Sequence, residues 1–268
     1  MIDFKHKDSY NVQDLIDIMR MLRAPGGCPW DAEQTHESIK KNLIEETYEV
    51  IEAINKNDKE LLCEELGDLL MQVVFHAQME AEINEFDFDD VADGVCKKLV
   101  ERHPHVFGEV EISGVDDVLT NWDAIKRRTK GQKTTSDSMF SVPRELPALM
   151  RATKLQKKAA DIGFDWNDVS GALDKLEEEI AELREAIANS DSENINEELG
   201  DLLFSAVNVS RFVKVDAEES LTAASDKFLA RFTQVEALAN ERGINMKNSS
   251  LEELDALWDE VKARSKNN

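Results

Sequence analysis

Glycine, proline and cysteine are all scarce in this chain of 268 residues. It has 11 glycines and 5 prolines, about half the usual share of these two residues. Because glycine and proline make tight turns, their scarcity favours long helices over a turn-rich β fold. Three cysteines, Cys28, Cys63 and Cys96, are too widely spaced for a disulfide framework or a Cys-x-x-Cys metal site. We interpret them as packing residues in a protein of a reducing compartment.

Positive charge and long apolar runs are also lacking. Lysine and arginine number 32 against 56 aspartates and glutamates, a net charge of −24. This balance repels nucleic acid and anionic membranes, and a phosphate-bearing ligand would need a cation beside it. No apolar run approaches the ~18 residues of a membrane span, and the N-terminus has no apolar signal segment. We therefore expect a cytoplasmic protein that binds neither nucleic acid nor membrane.

The chain contains an internal repeat. Its four tryptophans form two pairs with the same separation of 92 residues, Trp30 with Trp122 and Trp166 with Trp258. Residues 64–70 and 197–203 both read EELGDLL. Between the copies, a Thr/Ser-rich stretch holds Pro143 and Pro147 and is typical of a linker. We predict domains at 1–130 and 148–268, joined by a linker at 131–147.

Apolar spacing predicts an all-α fold. Leu176, Ile180, Leu183 and Ile187 follow the 4-3-4 spacing of a helical stripe. Residues 66–77 are apolar on every face, so that helix needs cover on more than one side. We predict a tandem repeat of two helical domains that form four-helix bundles and are completed by homodimerisation.

Each copy carries four acidic residues in the pattern Glu-x-x-Glu, then Glu-x-x-Asp. Residues three apart share a helix face. The four lie symmetrically about residue 57 in one copy and residue 190 in the other, within polar stretches that suit turns. Two helical hairpins would therefore bring the carboxylates together, Glu49 facing Glu65 and Glu46 facing Asp68. The candidate residues are Glu46, Glu49, Glu65 and Asp68, and Glu179, Glu182, Glu198 and Asp201.

Such a patch needs a counter-charge. Two carboxylates 4 Å apart repel by about 1 kcal/mol in water and about 4 kcal/mol at an effective dielectric of 20. Oxygen donors without histidine or cysteine favour Mg²⁺, with Mn²⁺ as a substitute. A lone acidic motif would be a solvated helix face, but two copies with the same spacing favour metal sites.

A di-iron centre is the nearest metal alternative, and it needs Glu-x-x-His on two helices. Only Glu33 and His36 have that spacing, and His76 has no acidic residue three positions before it. His103 and His105 flank a proline, which favours a turn or a helix cap over a metal pair. We therefore prefer the carboxylate site.

Phosphate groups would have to be held by metal and side chains, because the chain has no glycine-rich phosphate loop. Basic residues and a tryptophan recur in both copies and suit phosphates and a flat base. They are Lys98, Arg102, Trp122 and Lys126, and Lys227, Arg231, Trp258 and Lys262.

Several sequence blocks together resemble the MazG family of nucleoside triphosphate pyrophosphohydrolases. They are GCPWD at 27–31, EETYEV at 45–50, ELGD at 65–68 and RHPHVF at 102–107. The resemblance implies an all-α homodimer built of four-helix bundles. It also implies cleavage of nucleoside triphosphates between the α and β phosphates, which yields a monophosphate and pyrophosphate.

The resemblance also assigns roles to residues. It makes the eight acidic residues above metal ligands, and Glu45 and Glu178 the glutamates that orient water. It assigns nucleotide contacts to Lys175, Lys227, Arg231, Trp258 and Lys262. A lysine often found just ahead of the second acidic motif is Asn194 here.

Two other functions fit the acidic helices alone. One is a non-catalytic scaffold that binds a partner protein, and the other is a divalent-ion buffer. Neither needs the basic and aromatic residues that recur in both copies, so we prefer the enzyme.

Overall fold

In a computed structural model, which describes residues 4–110, 114–129 and 131–264, the chain forms α-helices and no strand within those ranges. The predicted all-α class is therefore confirmed. Two compact units divide at residues 126 and 127, inside α7. The helices are α1 (Val12–Arg23), α2 (Pro29–Glu33), α3 (His36–Lys56), α4 (Lys59–Glu82), α5 (Phe88–Arg102), α6 (Pro104–Phe107), α7 (Val115–Thr129), α8 (Thr135–Phe140), α9 (Ala148–Ala160), α10 (Val169–Asn189), α11 (Ser192–Phe212), α12 (Ala217–Glu241) and α13 (Leu251–Arg264).

The two units repeat the same helix packing. A hairpin of α3 and α4 in the first unit corresponds to a hairpin of α10 and α11 in the second. The preceding long helix packs on the second arm of each hairpin, α1 on α4 and α9 on α11, and the following helix, α5 or α12, packs there too. The tandem repeat is thus confirmed in three dimensions.

Each hairpin turns at the residue that the symmetry of the acidic motif indicates. Asn57 and Ser190 end their helices with φ of 53° and 56°, in the left-handed region. The next residue in each copy, Asp58 or Asp191, accepts hydrogen bonds from backbone N–H groups of the following helix. A two-residue connection with a helix cap on each side has little conformational freedom. It therefore determines which residues of the two arms face each other.

Each unit has its own buried apolar cluster. In the first, residues of α1, α3 and α4 meet, among them Met19, Ile39 and Val74. In the second, Leu238 of α12 packs with Leu257 of α13 and with neighbouring apolar residues. The cluster of the first unit joins α3 and α4, the helices that carry its acidic motif, whereas the cluster of the second unit joins α12 to α13.

Two expectations need correction. Segment 131–147, predicted to be a linker, contains α8, which packs on α9; its Ser138 and Val142 are buried, and Ser138 accepts a hydrogen bond from Lys158 of α9. Cys63 and Cys96 are exposed and Cys28 is half-buried, so they are not core residues of the chain. The 66–77 segment, predicted to need cover on more than one side, is partly covered within the chain, and Leu66 remains 49 % exposed.

Membrane spans are absent from the described ranges, because none of their helices is both long and apolar enough to cross a bilayer.

We expect Ser190→Gly to stabilise the second unit by about 0.5–1 kcal/mol, because glycine adopts the left-handed conformation without the steric cost that serine incurs. Urea denaturation followed by circular dichroism measures the shift. Asn57→Gly is the matched control, and its gain should be smaller since asparagine tolerates this conformation. Equal gains from both variants would contradict the argument.

Candidate functional site

The first group of carboxylates lies on the facing sides of α3 and α4. Oxygens of Glu46, Glu49 and Glu65 all lie within 4.8 Å of one another. Glu46 and Glu49 occupy adjacent turns of α3, and Glu65 reaches them from α4 across the hairpin. We call these three residues the first cluster. The predicted approach of Glu49 to Glu65 is therefore confirmed.

The second copy forms the same arrangement on α10 and α11. Oxygens of Glu179, Glu182 and Glu198 lie within 4.8 Å of one another, and we call these residues the second cluster. Glu179 is buried, with only 4 % of its surface exposed. A buried carboxylate needs a partner of opposite charge or a proton, and here the structure supplies a cation.

That cation is Lys175, one turn before the cluster on the same helix. Its Nζ lies 2.8 Å from Glu179 and 2.9 Å from Glu178. The two hydrogen-bonded carboxylates raise the pKa of the Lys175 ammonium, that of Glu179 most, so it stays charged. We predicted Lys175 as a nucleotide contact and missed this ion pair, although a separation of three and four residues on a helix signals it. The equivalent position of the first copy is Asn42.

Loss of hydration raises the pKa of carboxyls in both clusters. It is the largest cause for Glu46 and for Glu65, and the charge of Asp68 adds to it at Glu46. In the second cluster, the same cause raises the pKa of two carboxyls, Glu182 and Glu198. These shifts mean that the charged form is disfavoured in the absence of a bound cation.

The aspartates of the motifs stand beside the clusters. Neither Asp68 nor Asp201 belongs to the set of oxygens within 4.8 Å. The negative charge of Asp68 nonetheless contributes to the raised pKa of Glu46, and that of Asp201 to the raised pKa of Glu198. Glu46 and Asp68, predicted to face each other across the hairpin, are thus close enough for their charges to interact.

The residues predicted to orient water are exposed. Glu45 and Glu178 each precede the first cluster residue of their helix by one position, and both side chains reach solvent. Glu178 also accepts the hydrogen bond from Lys175. Both therefore lie at the exposed edge of the carboxylate groups.

The basic and aromatic candidates assemble into a second kind of group. Arg231 of α12 lies 5.9 Å from the ring centre of Trp258 on α13, and Phe228 lies 5.4 Å from the same ring. Arg102 of α5 stacks in the same way over Trp122 of α7, at 6.0 Å. These pairs are cation–π contacts. Their recurrence shows that both copies build the same arginine–tryptophan platform.

These platforms are separate from the carboxylates. Neither Arg231 nor Trp258 forms a hydrogen bond or ion pair with the second cluster in the part of the chain that the structure describes. Trp258 is half-buried against the apolar cluster of its unit, whereas Trp122 is 40 % exposed. The lysines Lys98, Lys227 and Lys262 are exposed, and Lys126 is half-buried in α7.

The donor chemistry of the clusters fits a hard divalent cation. Every donor is a carboxylate oxygen, and the spacing allows three of them to share one ion. Loss of hydration and then mutual repulsion raise the pKa values of these carboxyls, and a bound cation would offset both. Nitrogen and sulfur donors, which softer metals prefer, are absent from both sets.

Comparison with known proteins identifies the class. The family model described as "MazG nucleotide pyrophosphohydrolase domain" matches residues 34–107 and 168–236. The nucleoside triphosphate pyrophosphohydrolase of Escherichia coli K12 is 44% identical over 94% of this chain and 97% of its own length. The nucleoside triphosphate pyrophosphohydrolase/pyrophosphatase MazG of Thermotoga maritima is 44% identical, over 93% of this chain and 95% of its own.

The protein YabN of Bacillus subtilis, whose function is uncharacterised, is 48% identical over 91% of this chain and 50% of its own length. Two matched domains and full-length relatives thus define an all-α enzyme of the nucleotide pyrophosphohydrolase class. The chain belongs to the MazG family, as the sequence blocks predicted.

The charge balance of the clusters predicts different effects of matched substitutions in metal-free protein. Glu46→Gln should raise the melting temperature by about 2–4 °C, because it removes a poorly hydrated charge that faces Asp68. Glu179→Gln should give no such rise, since it removes the partner of Lys175. Differential scanning calorimetry in chelator makes the comparison.

The gain from Glu46→Gln should also depend on pH. The folded-state pKa of Glu46 lies above its ordinary value of 4.5, so its ionisation costs stability at neutral pH and that cost disappears as the pH falls through the raised pKa. The gain should therefore shrink towards pH 4.5. A gain that grows on acidification would contradict this assignment.

Proposed function

We propose that the chain hydrolyses nucleoside triphosphates between the α and β phosphates, with Mg²⁺ as cofactor and Mn²⁺ as a substitute. The observation that carries the proposal is the pair of three-carboxylate clusters, each on its own hairpin, in a chain of this family. The nucleoside triphosphate pyrophosphohydrolases of Escherichia coli and Thermotoga maritima, to which the chain is similar, support the substrate class.

The proposed metal ligands are the two clusters with their neighbouring aspartates, Asp68 and Asp201. Mg²⁺ bound there would neutralise the triphosphate and polarise the phosphorus under attack. The chain's own contribution is to hold the ion by carboxylates whose facing positions are fixed by the two-residue turns. A net charge of −24 explains why the substrate would need that ion to approach.

The other candidates act on water and on the nucleotide. Glu178, and Glu45 in the first copy, would orient the attacking water and accept its proton. Lys175 would leave Glu179 when a metal takes its place and would then meet a phosphate. Arg231 and Trp258, with the exposed Lys227 and Lys262, would hold the phosphates and the base, and Lys98, Arg102, Trp122 and Lys126 would do so in the first copy.

A homodimer would bring the separate groups together. Apolar side chains on the hairpin helices remain uncovered in the chain, including Ile44 and Tyr48 of α3 and Leu199 and Leu203 of α11. Partner helices packed on these faces would complete a four-helix bundle around each hairpin and bury apolar surface worth about 25 cal/mol per Å². The arginine–tryptophan platforms could then face carboxylates from the other subunit.

The reaction is tested by product analysis across a panel of nucleoside triphosphates. We expect equal amounts of monophosphate and pyrophosphate, no activity in chelator, and recovery with Mg²⁺ or Mn²⁺. Release of orthophosphate would contradict the bond assignment, and undiminished turnover in chelator would contradict the metal.

We expect most turnover to come from the second copy, because only that copy has a lysine beside its cluster. Glu179→Gln with Asp201→Asn should abolish most activity, since amides preserve shape but bind a hard cation poorly. Glu46→Gln with Asp68→Asn is the matched control and should cost less. Circular dichroism confirms folding of both, and equal partial losses would show that the two copies work independently.

Sedimentation tests the dimer. The mass in solution should be about twice the 30.3 kDa of one chain. Leu203→Glu on the uncovered face of α11 should shift the equilibrium towards monomer, whereas a charge at the exposed, peripheral Ile162 should not. A wild-type monomer at micromolar concentration would contradict the completed bundle.

A further inference from the structure

Two histidines and a glutamate form a contact chain in the first copy that the proposed reaction does not use. His36, the first residue of α3, and His76 of α4 approach with their Nδ1 atoms 2.7 Å apart. Glu80, one turn after His76 on α4, lies 2.7 Å from His36 Nε2. The carboxylates of the first cluster lie further along the hairpin, towards its turn, and share no residue with this chain of contacts.

The second copy shows that the three residues occur as a set. The hairpins align at a constant offset of 133, since α3 and α10 have the same length and α4 and α11 begin at equivalent residues. At the positions of His36, His76 and Glu80, the second copy has valine each time, namely Val169, Val209 and Val213. The fold therefore needs none of the three polar groups, and their joint presence calls for a role of their own.

When both histidines are neutral, their hydrogen-bond partners determine which ring nitrogens carry the protons. A carboxylate only accepts, so His36 Nε2 donates to Glu80. His36 Nδ1 then carries a lone pair and accepts from His76 Nδ1. Since neutral His76 carries its proton on Nδ1, its Nε2 has only a lone pair. This Nε2 is buried and has no hydrogen-bond partner, unlike the other ring nitrogens of the two histidines.

The two imidazole rings are aligned so that their Nδ1 atoms point towards each other. The ring planes differ by 3° and the ring centres are 5.0 Å apart, so the two nitrogens lie close to the line that joins the ring centres. Moving one proton of His76 from Nδ1 to Nε2 would leave two converging lone pairs. Burial lowers the pKa of His76, with the neighbouring His36 as a smaller cause, and so favours the neutral form that a metal needs.

We propose that His36 and His76 bind a divalent transition ion of the zinc type through their Nδ1 atoms, with Glu80 holding His36 in place. Imidazole nitrogen suits such ions and not Mg²⁺. Tetrahedral coordination with bonds of about 2.0–2.1 Å needs nitrogens roughly 3.3 Å apart, a small opening from the present separation. A metal-bound histidine typically donates its other N–H to a carboxylate, as His36 does to Glu80.

The open coordination positions of this ion face water, because the His36 side chain is 48% exposed. The ion would join the first turn of α3 to the last turns of α4, at the end of the hairpin opposite Asn57. A second tether there would stabilise the hairpin that carries the first cluster, without touching its carboxylates.

Isothermal titration of the full chain with Zn²⁺ in excess Mg²⁺ tests the site, since Mg²⁺ occupies carboxylates but not imidazoles. We expect the wild type to bind one equivalent of Zn²⁺ at this site, in addition to any bound elsewhere. That equivalent should be lost in His36→Val and in His76→Val, which introduce the valines of the second copy. Glu80→Gln should weaken that equivalent by about 10–100-fold. His105→Gln is the matched control and should retain it.

A spectroscopic arm identifies the donors. Co²⁺ added in place of Zn²⁺ should give absorption typical of nitrogen and oxygen ligands, without the thiolate bands that the exposed Cys63 or Cys96 would produce. Because His36 is partly exposed, His36→Val keeps the test informative even where His76→Val fails to fold. Nucleotide hydrolysis in Mg²⁺ should be unchanged in His36→Val, so failure of this site and of the proposed reaction are distinguishable.

Two outcomes would overturn the proposal. One is the same Zn²⁺ stoichiometry and affinity in the wild type and in both valine variants. The other is a ¹⁵N spectrum of the imidazoles that keeps the hydrogen bond between His36 and His76 after Zn²⁺ is added, which would show that the pair shares a proton only.

Discussion

Everything proposed for this enzyme depends on the two-residue connection between the arms of each hairpin. Asn57 and Ser190 adopt the left-handed conformation, and the following aspartates cap the next helix. One residue more or less in either connection would rotate an arm by about 100° and remove its glutamates from the shared face. The apolar core holds the helices together, but the turn determines which side chains meet.

The two copies use this common frame differently. In the second, Glu179 is buried and paired with Lys175, so its cluster contains a cation of its own. In the first, Asn42 stands where the lysine would be, and an uncharged amide cannot offset the loss of hydration and the repulsion that both copies share. The first copy instead has polar residues at the opposite end of its hairpin, where the second has valines.

Much of this could be predicted from the sequence because the acidic motif is symmetric about its turn. That symmetry locates Asn57 and Ser190 and predicts that Glu49 faces Glu65. Less could be predicted where the determining contacts are distant in the chain or depend on burial. His36 and His76 are 40 residues apart and meet only after the hairpin forms, and α8 was hidden in a segment whose composition is typical of a linker. Whether apolar faces are covered by a partner also lies beyond one chain's sequence.

The ion pair between Lys175 and Glu179 makes the two clusters differ in their response to salt concentration. The helix holds the Lys175 ammonium beside Glu179 whatever the buffer contains, and a partly buried pair is screened less by salt than an exposed one. Mobile cations must supply the same neutralisation in the first copy. Ionic strength should therefore act more strongly on the first hairpin than on the second, which makes the two halves of the chain unequal in their response to salt.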